Sequence, residues 1–253
     1  MFEISLTFVI LLIGAAFFAG IIDSIAGGGG LITIPALMLA GLSPLEAISI
    51  NKVQAVFGAS SAAYSYAKAG HVDLRRQLPA ALLAFGGGVA GAILISYLPS
   101  EWLRGVLPWI LIAIAGYFAF KRGLGDVDGQ RRISPAVFSA TIVPLVGFYD
   151  GFFGPGAGSF YMLGFVSLAG YGLLKATAHS KLLNLASNFG GLVIFAATGA
   201  PVWGLGLVMA VAQTAGAMLG ARLAMRVGAR VIRPLLVLTS VALALRLLWQ
   251  NYG

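Results

Sequence analysis

Apolar runs of about 20 residues recur along this chain from end to end, each matching the length an α-helix needs to cross roughly 30 Å of hydrocarbon. Inside a bilayer every backbone N–H and C=O must find its partner within the protein, so the admissible architectures are helices and closed β-barrels. A barrel strand alternates apolar and polar residues over about ten positions. Runs such as WILIAIAGYFAF (109–120) do not alternate. The expected class is therefore an all-α polytopic membrane protein. Charged residues are 9% of the chain, against about 25% in a soluble domain, which excludes an ordinary soluble protein.

The runs place helices at 4–22, 31–42, 46–68, 77–98, 102–120, 134–150, 158–170, 175–197, 203–224 and 231–249. Those at 31–42 and 158–170 cover only about 18–20 Å at 1.5 Å per residue, too little to span the core alone. Glu3 is the only charge before Asp23, so the first run lacks a basic leader and is expected to be a retained helix.

The formal charge of +8 has a ready explanation in such a protein. Basic residues gather at Lys68, Arg75 and Arg76, at Lys121, Arg122, Arg131 and Arg132, and at Arg222, Arg226, Arg230 and Arg233. By the positive-inside rule these regions face the cytoplasm, leaving LPSEWLR (98–104), TGAPVW (198–203) and both termini outside. No nucleic-acid partner is called for. The absence of cysteine excludes disulfides and thiolate metal sites. No metal site or cofactor is expected, and no hydrolase triad or ATPase motif suggests an enzyme.

The two halves align with each other. At a shift of 129, Gly41, Ala47, Lys52, Gly70, Gly87, Gly91 and Arg104 fall on Gly170, Ala176, Lys181, Gly199, Gly216, Gly220 and Arg233. At a shift of 127, Asp23, Gly27 and Gly29 fall on Asp150, Gly154 and Gly156. The loop after the third helix is basic, whereas its counterpart TGAPVW is neutral, so the second half is expected to be inserted upside down. The expected organisation is a first transmembrane repeat over 1–122, a cytoplasmic linker at 123–132 and a second repeat over 133–253. Each inverted repeat has about five hydrophobic elements, with Gly-broken short helices in corresponding places. That pattern recurs in secondary transporters, whose substrate sites lie where the repeats meet.

Ionisable residues within helices are the informative ones, since each costs about 2.5–3.5 kcal/mol at the bilayer centre on insertion scales. Lys52 and Lys181 lie at equal depth in their helices. Asn51 and Gln54 accompany the first; His179, Ser180, Asn184, Ser187 and Asn188 surround the second. An anion leaving water needs such donors to replace its hydration. The alternative for each lysine is snorkelling to the interface.

Asp23 and Asp150 precede IAGGGG and FFGPGAG. The glycines permit a sharp turn, and the helix that follows offers unpaired N–H groups to an anion. Each aspartate is open to two readings, a cap on that turn or a carrier of a coupling proton or cation. His179 is likewise a proton or anion site or a hydrogen-bonded structural residue. The small-xxx-small pairs Gly87/Gly91 and Gly216/Gly220 are expected to pack helices closely.

The order FFAGIIDSIAGGGGLITIPALMLAGLSPLEAISINK, then GFYDGFFGPGAGSFY, then ATAHSKLLNLASNFGGLVIF, resembles the TauE/SafE family of sulfite and organosulfonate exporters over about residues 8–249. The resemblance implies a multi-pass bacterial inner-membrane transporter for small sulfur-containing anions, driven by the proton gradient or membrane potential. By motif match it implies site roles for Asp23, Gly27, Gly29, Asn51 and Lys52 in one half, and for Asp150, Gly154, Gly156, Ser180, Lys181 and Asn184 in the other. The first half departs from its partner in having Ile50 where His179 would fall. The expected partners are a small anionic substrate and the lipid bilayer, with homodimer formation left open. The competing readings are an importer of another small solute or a cation, and a non-transporting membrane subunit.

Overall fold

A computed structural model describes residues 6–120 and 127–227, with single positions at 241, 245 and 249. Among the described residues there are nine helices and no strand. The element expected at 231–249 and the pairing of Arg104 with Arg233 lie outside them. The helices are α1 (Leu6–Ala26), α2 (Gly30–Leu39), α3 (Pro44–Lys68), α4 (Leu74–Ser96), α5 (Ser100–Phe120), α6 (Pro135–Phe152), α7 (Ala157–Ser167), α8 (Leu173–Thr198) and α9 (Trp203–Val227). Five of them, over Leu6–Ala26, Leu74–Ser96, Pro135–Phe152, Leu173–Thr198 and Trp203–Arg226, are long and apolar enough to cross a membrane. The burial pattern agrees: Leu11, Phe18, Leu82, Leu145 and Val211 are exposed, while Asp23, Lys52, Asp150 and Lys181 are buried. A soluble protein shows the reverse.

Local chemistry sets the helix ends. Ser43-Pro44-Leu45-Glu46 forms a capping box, with Glu46 N–H donating to Ser43 Oγ at 3.3 Å and Ser43 N–H to Glu46 Oε2 at 2.8 Å. The Asp73 carboxylate caps α4 by accepting from the N–H groups of Arg75 and Arg76 at 3.0 and 3.3 Å. A π turn over Phe138–Ile142 widens α6 just before Pro144, which has no N–H to return to the ladder. Residues 127–133 dock on the α7–α8 connection through Gly129 N–H to Gly170 O (2.9 Å) and Lys175 to Asp128 (2.8 Å). The hydrogen bonds from Lys175 and from the Gly172 amide hold the Asp128 carboxyl below the usual carboxylate range.

Glycines with positive φ recur at aligned positions of the two halves of the sequence. Gly27, Gly41 and Gly70 have φ of 81°, 96° and 80°, and their aligned partners Gly154, Gly170 and Gly199 have 92°, 74° and 73°. In each half a break leads into a short helix of 10 or 11 residues, and that leads into a helix of 25 or 26 carrying the buried lysine.

In space the long helices follow the order α1, α9, α3, α8, α4, α6, with α3 and α8 meeting in the middle. Thus α4 packs between two helices of the second half, and α9 between two of the first. Glycines make this close approach feasible. A Cβ on Gly87 would stand 2.3 Å from Pro144 O, one on Gly91 2.0 Å from Phe148 O, and one on Gly216 2.0 Å from Phe17 O. The stripes Gly87/Gly91 and Gly216/Gly220 therefore pack helices, as expected of that spacing.

Candidate functional site

Where α3 and α8 meet, two ion pairs cross between the halves of the sequence. Lys52 on α3 donates to the backbone carbonyl of Asp150, to Asp150 Oδ1 at 2.6 Å and to Asn188 Oδ1 at 3.1 Å. Lys181 on α8 donates to the backbone carbonyl of Asp23 and stands 3.8 Å from Asp23 Oδ2. Each lysine thus reaches the last turn of the broken helix in the opposite half. Helix C-termini present carbonyls without partners and the negative end of the dipole, and both suit an ammonium group.

The carbonyls that end α1 are all taken. Besides Lys181 on Asp23, Tyr66 Oη donates to Ser24 O (2.9 Å), Thr177 Oγ1 to Ile25 O (3.4 Å), and Ser159 Oγ to Ala26 O (2.5 Å) and Gly27 O (3.1 Å). Ser159 N–H adds a bond to Gly27 O at 3.0 Å. Breaking a helix inside a bilayer requires this kind of replacement.

The two Gly-rich breaks touch. A Cβ on Gly27 would lie 2.3 Å from Gly158 C, and one on Gly30 would lie 3.2 Å from Pro155 Cα. Only glycine combines the positive φ at Gly27 with that approach. The N-termini of α2 and α7 are consequently brought together near the lysines. A Cβ on Gly154 would come 2.8 Å from Lys52 Nζ.

The carboxylates differ in support. Asp150 Oδ2 accepts from Ser187 Oγ (2.5 Å), Asn188 Nδ2 (2.9 Å) and Asn184 Nδ2 (3.1 Å), so both its oxygens are engaged. Asp23 accepts on Oδ1 from Gly29 N–H at 3.2 Å. Asp23 therefore caps its own turn, whereas Asp150 is bound sideways to α8 and α3. Under the 129 shift the positions matching Asn184, Ser187 and Asn188 are Ala55, Gly58 and Ala59, which explains the difference.

The remaining sequence candidates fall into separate places. Asn51 Oδ1 accepts from Thr33 Oγ1 at 2.7 Å and lies beside Gly30. Gln54 is fully buried and, among the described residues, neither of its amide atoms has a partner; it lies two positions from Lys52 on α3, on a different face. Ser180 is spent on its own helix, donating to Thr177 O at 2.8 Å. Gly29 and Gly156 sit at the caps of α2 and α7. His179 is outside the polar centre: its Nδ1 is 2.8 Å from Lys175 O and its ring packs edge-on against Tyr171 and Phe165. With Asp73, Arg76, Gln77 and Arg131 it lines a cavity of about 370 Å³ whose other walls include Phe138, Phe165 and Tyr171. Thr33, Tyr66, Ser159 and Thr177 join the site without being among the residues expected from the sequence. Their signal was present as hydroxyls in otherwise apolar runs.

Buried charge pairs at helix breaks, within a bundle that turns its apolar side outward, define a multi-pass helical membrane protein. More particularly, the chain belongs to the family described as Sulfite exporter TauE/SafE, which matches residues 12–247. It is 56% identical over 234 residues to "Probable membrane transporter protein ORF9" of Sinorhizobium sp, covering 92% of this chain and 90% of that one. It is 47% identical over 247 residues to "Probable membrane transporter protein YfcA" of Escherichia coli strain K12, covering 96% and 92%. A Haemophilus influenzae "Probable membrane transporter protein" is 39% identical over 249 residues, 98% of each chain. No solved structure matches. These relatives and the helical build make this a multi-pass protein of the bacterial inner membrane.

Proposed function

We propose that the chain is a secondary transporter that exports a small sulfur-containing oxyanion, sulfite or an organosulfonate such as sulfoacetate, driven by an ion gradient or the membrane potential. The observation that carries this reading is the pair of buried Lys–Asp contacts exchanged between the halves at two abutting helix breaks. Ammonium groups beside the N-termini of α2 and α7 give a dry anion what it loses with water, namely charge and several N–H donors.

The exchange of α4 and α9 groups the long helices as α1, α9 and α3 on one side and α8, α4 and α6 on the other, and rocking of these two units, each built from both halves of the sequence in the inverted arrangement expected from loop charge, would give alternating access. Asp23, Asp150 and His179 are the candidates for coupling. The cavity lined by His179, Arg131 and the Arg76–Asp73 ion pair lies at the basic, cytoplasmic face, where Arg131 would attract anions.

The test is counterflow in proteoliposomes with labelled sulfite, sulfate, sulfoacetate and taurine, with and without a pH gradient. Saturable exchange of sulfite or sulfoacetate that exceeds protein-free vesicles is the expected result. Uptake of a cation, with none of the anions moving, would replace the reading by cation transport on the aspartates. A protein that moves no solute until a partner is supplied would make it a subunit.

A further inference from the structure

The two lysines are not in the same condition. An ammonium group has three N–H donors and no acceptor. Lys52 uses all three, on Asp150 O, Asp150 Oδ1 and Asn188 Oδ1. Lys181 is equally buried, yet among the described residues its Nζ has one hydrogen-bond acceptor, the carbonyl of Asp23. The Asp23 carboxylate stands at 3.8 Å, outside hydrogen-bonding reach, so two donors of a buried cation are uncommitted.

Their partners differ in the same sense. Asp150 is clamped by three side chains of α8 besides Lys52, and its side chain is 1% exposed. Asp23 has the single Gly29 N–H, and its side chain, at 11%, is the most exposed of the four charged groups. A buried ion pair with so few supporting hydrogen bonds does not recover its desolvation cost, which leaves this one ready to exchange partners.

We propose that Lys181 is the lysine that receives the transported oxyanion, and that the Asp23 carboxylate is the resident group the anion displaces. One oxygen of the anion takes the uncommitted N–H groups of Lys181, and another takes the Gly29 N–H that Asp23 releases. The Lys52–Asp150 pair stays closed and holds the second break in shape. This inference rests on the oxyanion reading above and says which of the two similar centres serves it.

Thermal-shift titration of the detergent-purified, full-length protein with sodium sulfite and with sulfoacetate tests it. The wild type should be stabilised saturably by at least one probe. D23N removes a competitor for Lys181 and leaves that lysine buried without its counter-charge, so the variant's own melting temperature should fall while half-saturation comes at a several-fold lower probe concentration. K181Q alone would strand Asp23, so the comparison is D23N/K181Q, in which both charges are gone; it should show no saturable shift. Unchanged or weaker half-saturation in D23N overturns the proposal, as does a double variant that binds as tightly as D23N. A wild type that binds neither probe removes the oxyanion reading and this inference with it, whereas the former outcomes leave that reading standing.

Discussion

Asp150 gathers four side-chain donors onto its two oxygens, one of them the ammonium of Lys52. Dry surroundings make such a cluster strong when complete and costly when one member is lost. Removing either charge alone leaves the other buried and unmatched, a penalty of about 3–5 kcal/mol. Removing both leaves only imperfect packing. In a cycle of K52M, D150N and K52M/D150N, each single variant should therefore lower the detergent melting temperature more than the double variant does. Additive losses would show that the two groups do not act as a pair. Both residues stood out in the sequence, because charge in an apolar run is conspicuous. Their mutual contact did not, since it joins positions 98 residues apart and local spacing carries no information about it. The same limit concealed the work of Ser187 and Asn188. They were legible as the company of Lys181, but they act on the partner of Lys52.

Helices in a bilayer gain little from burying apolar side chains, so close backbone approach carries more of the association. The α4–α6 contact illustrates this through neighbouring glycines. Gly87 faces α6, where a Cβ would meet Pro144 O at 2.3 Å, while Gly86 has nothing within 4 Å. The same substitution should then have opposite effects at adjacent positions. G87A should push α4 from α6 and cost about 1–3 kcal/mol as overpacking does, whereas G86A should be neutral or gain up to about 1 kcal/mol through helix propensity. Chemical-denaturant or thermal unfolding of the two variants side by side reads the difference, and equal effects would mean the helices do not approach as described. Helix positions and types were legible from the apolar runs, because length and spacing are local properties. The ends were less so. The run at 4–22 stops one residue short of Asp23, which lies inside the last turn of α1, where buried polar partners take up the carbonyls beyond the apolar run; the run at 134–150 ends on Asp150, and α6 continues to Phe152.

For the molecule as a whole, the order α1, α9, α3, α8, α4, α6 means that neither half of the sequence closes on itself. The fourth helix of each half lies among helices of the other, with Gly20 and Gly216 fitted to α9 and α1, and Gly88 and Gly190 fitted to α8 and α4. The reciprocal lysines add buried charge contacts across the same seam. A half expressed alone would carry an uncompensated lysine and aspartate, and glycine faces with nothing to fill them. Chains split between 122 and 123 and produced together should accordingly copurify through a tag on one of them and regain the substrate-dependent thermal shift. Residues 1–122 produced alone should be degraded or aggregate. A stable, monodisperse first half would show that its helices can satisfy α4 and Lys52 without the second, and would contradict the interleaving. The linker can be cut because its chemistry is on one side: Asp128 binds Gly172 and Lys175, both in the second half, so a break upstream of it leaves that docking intact.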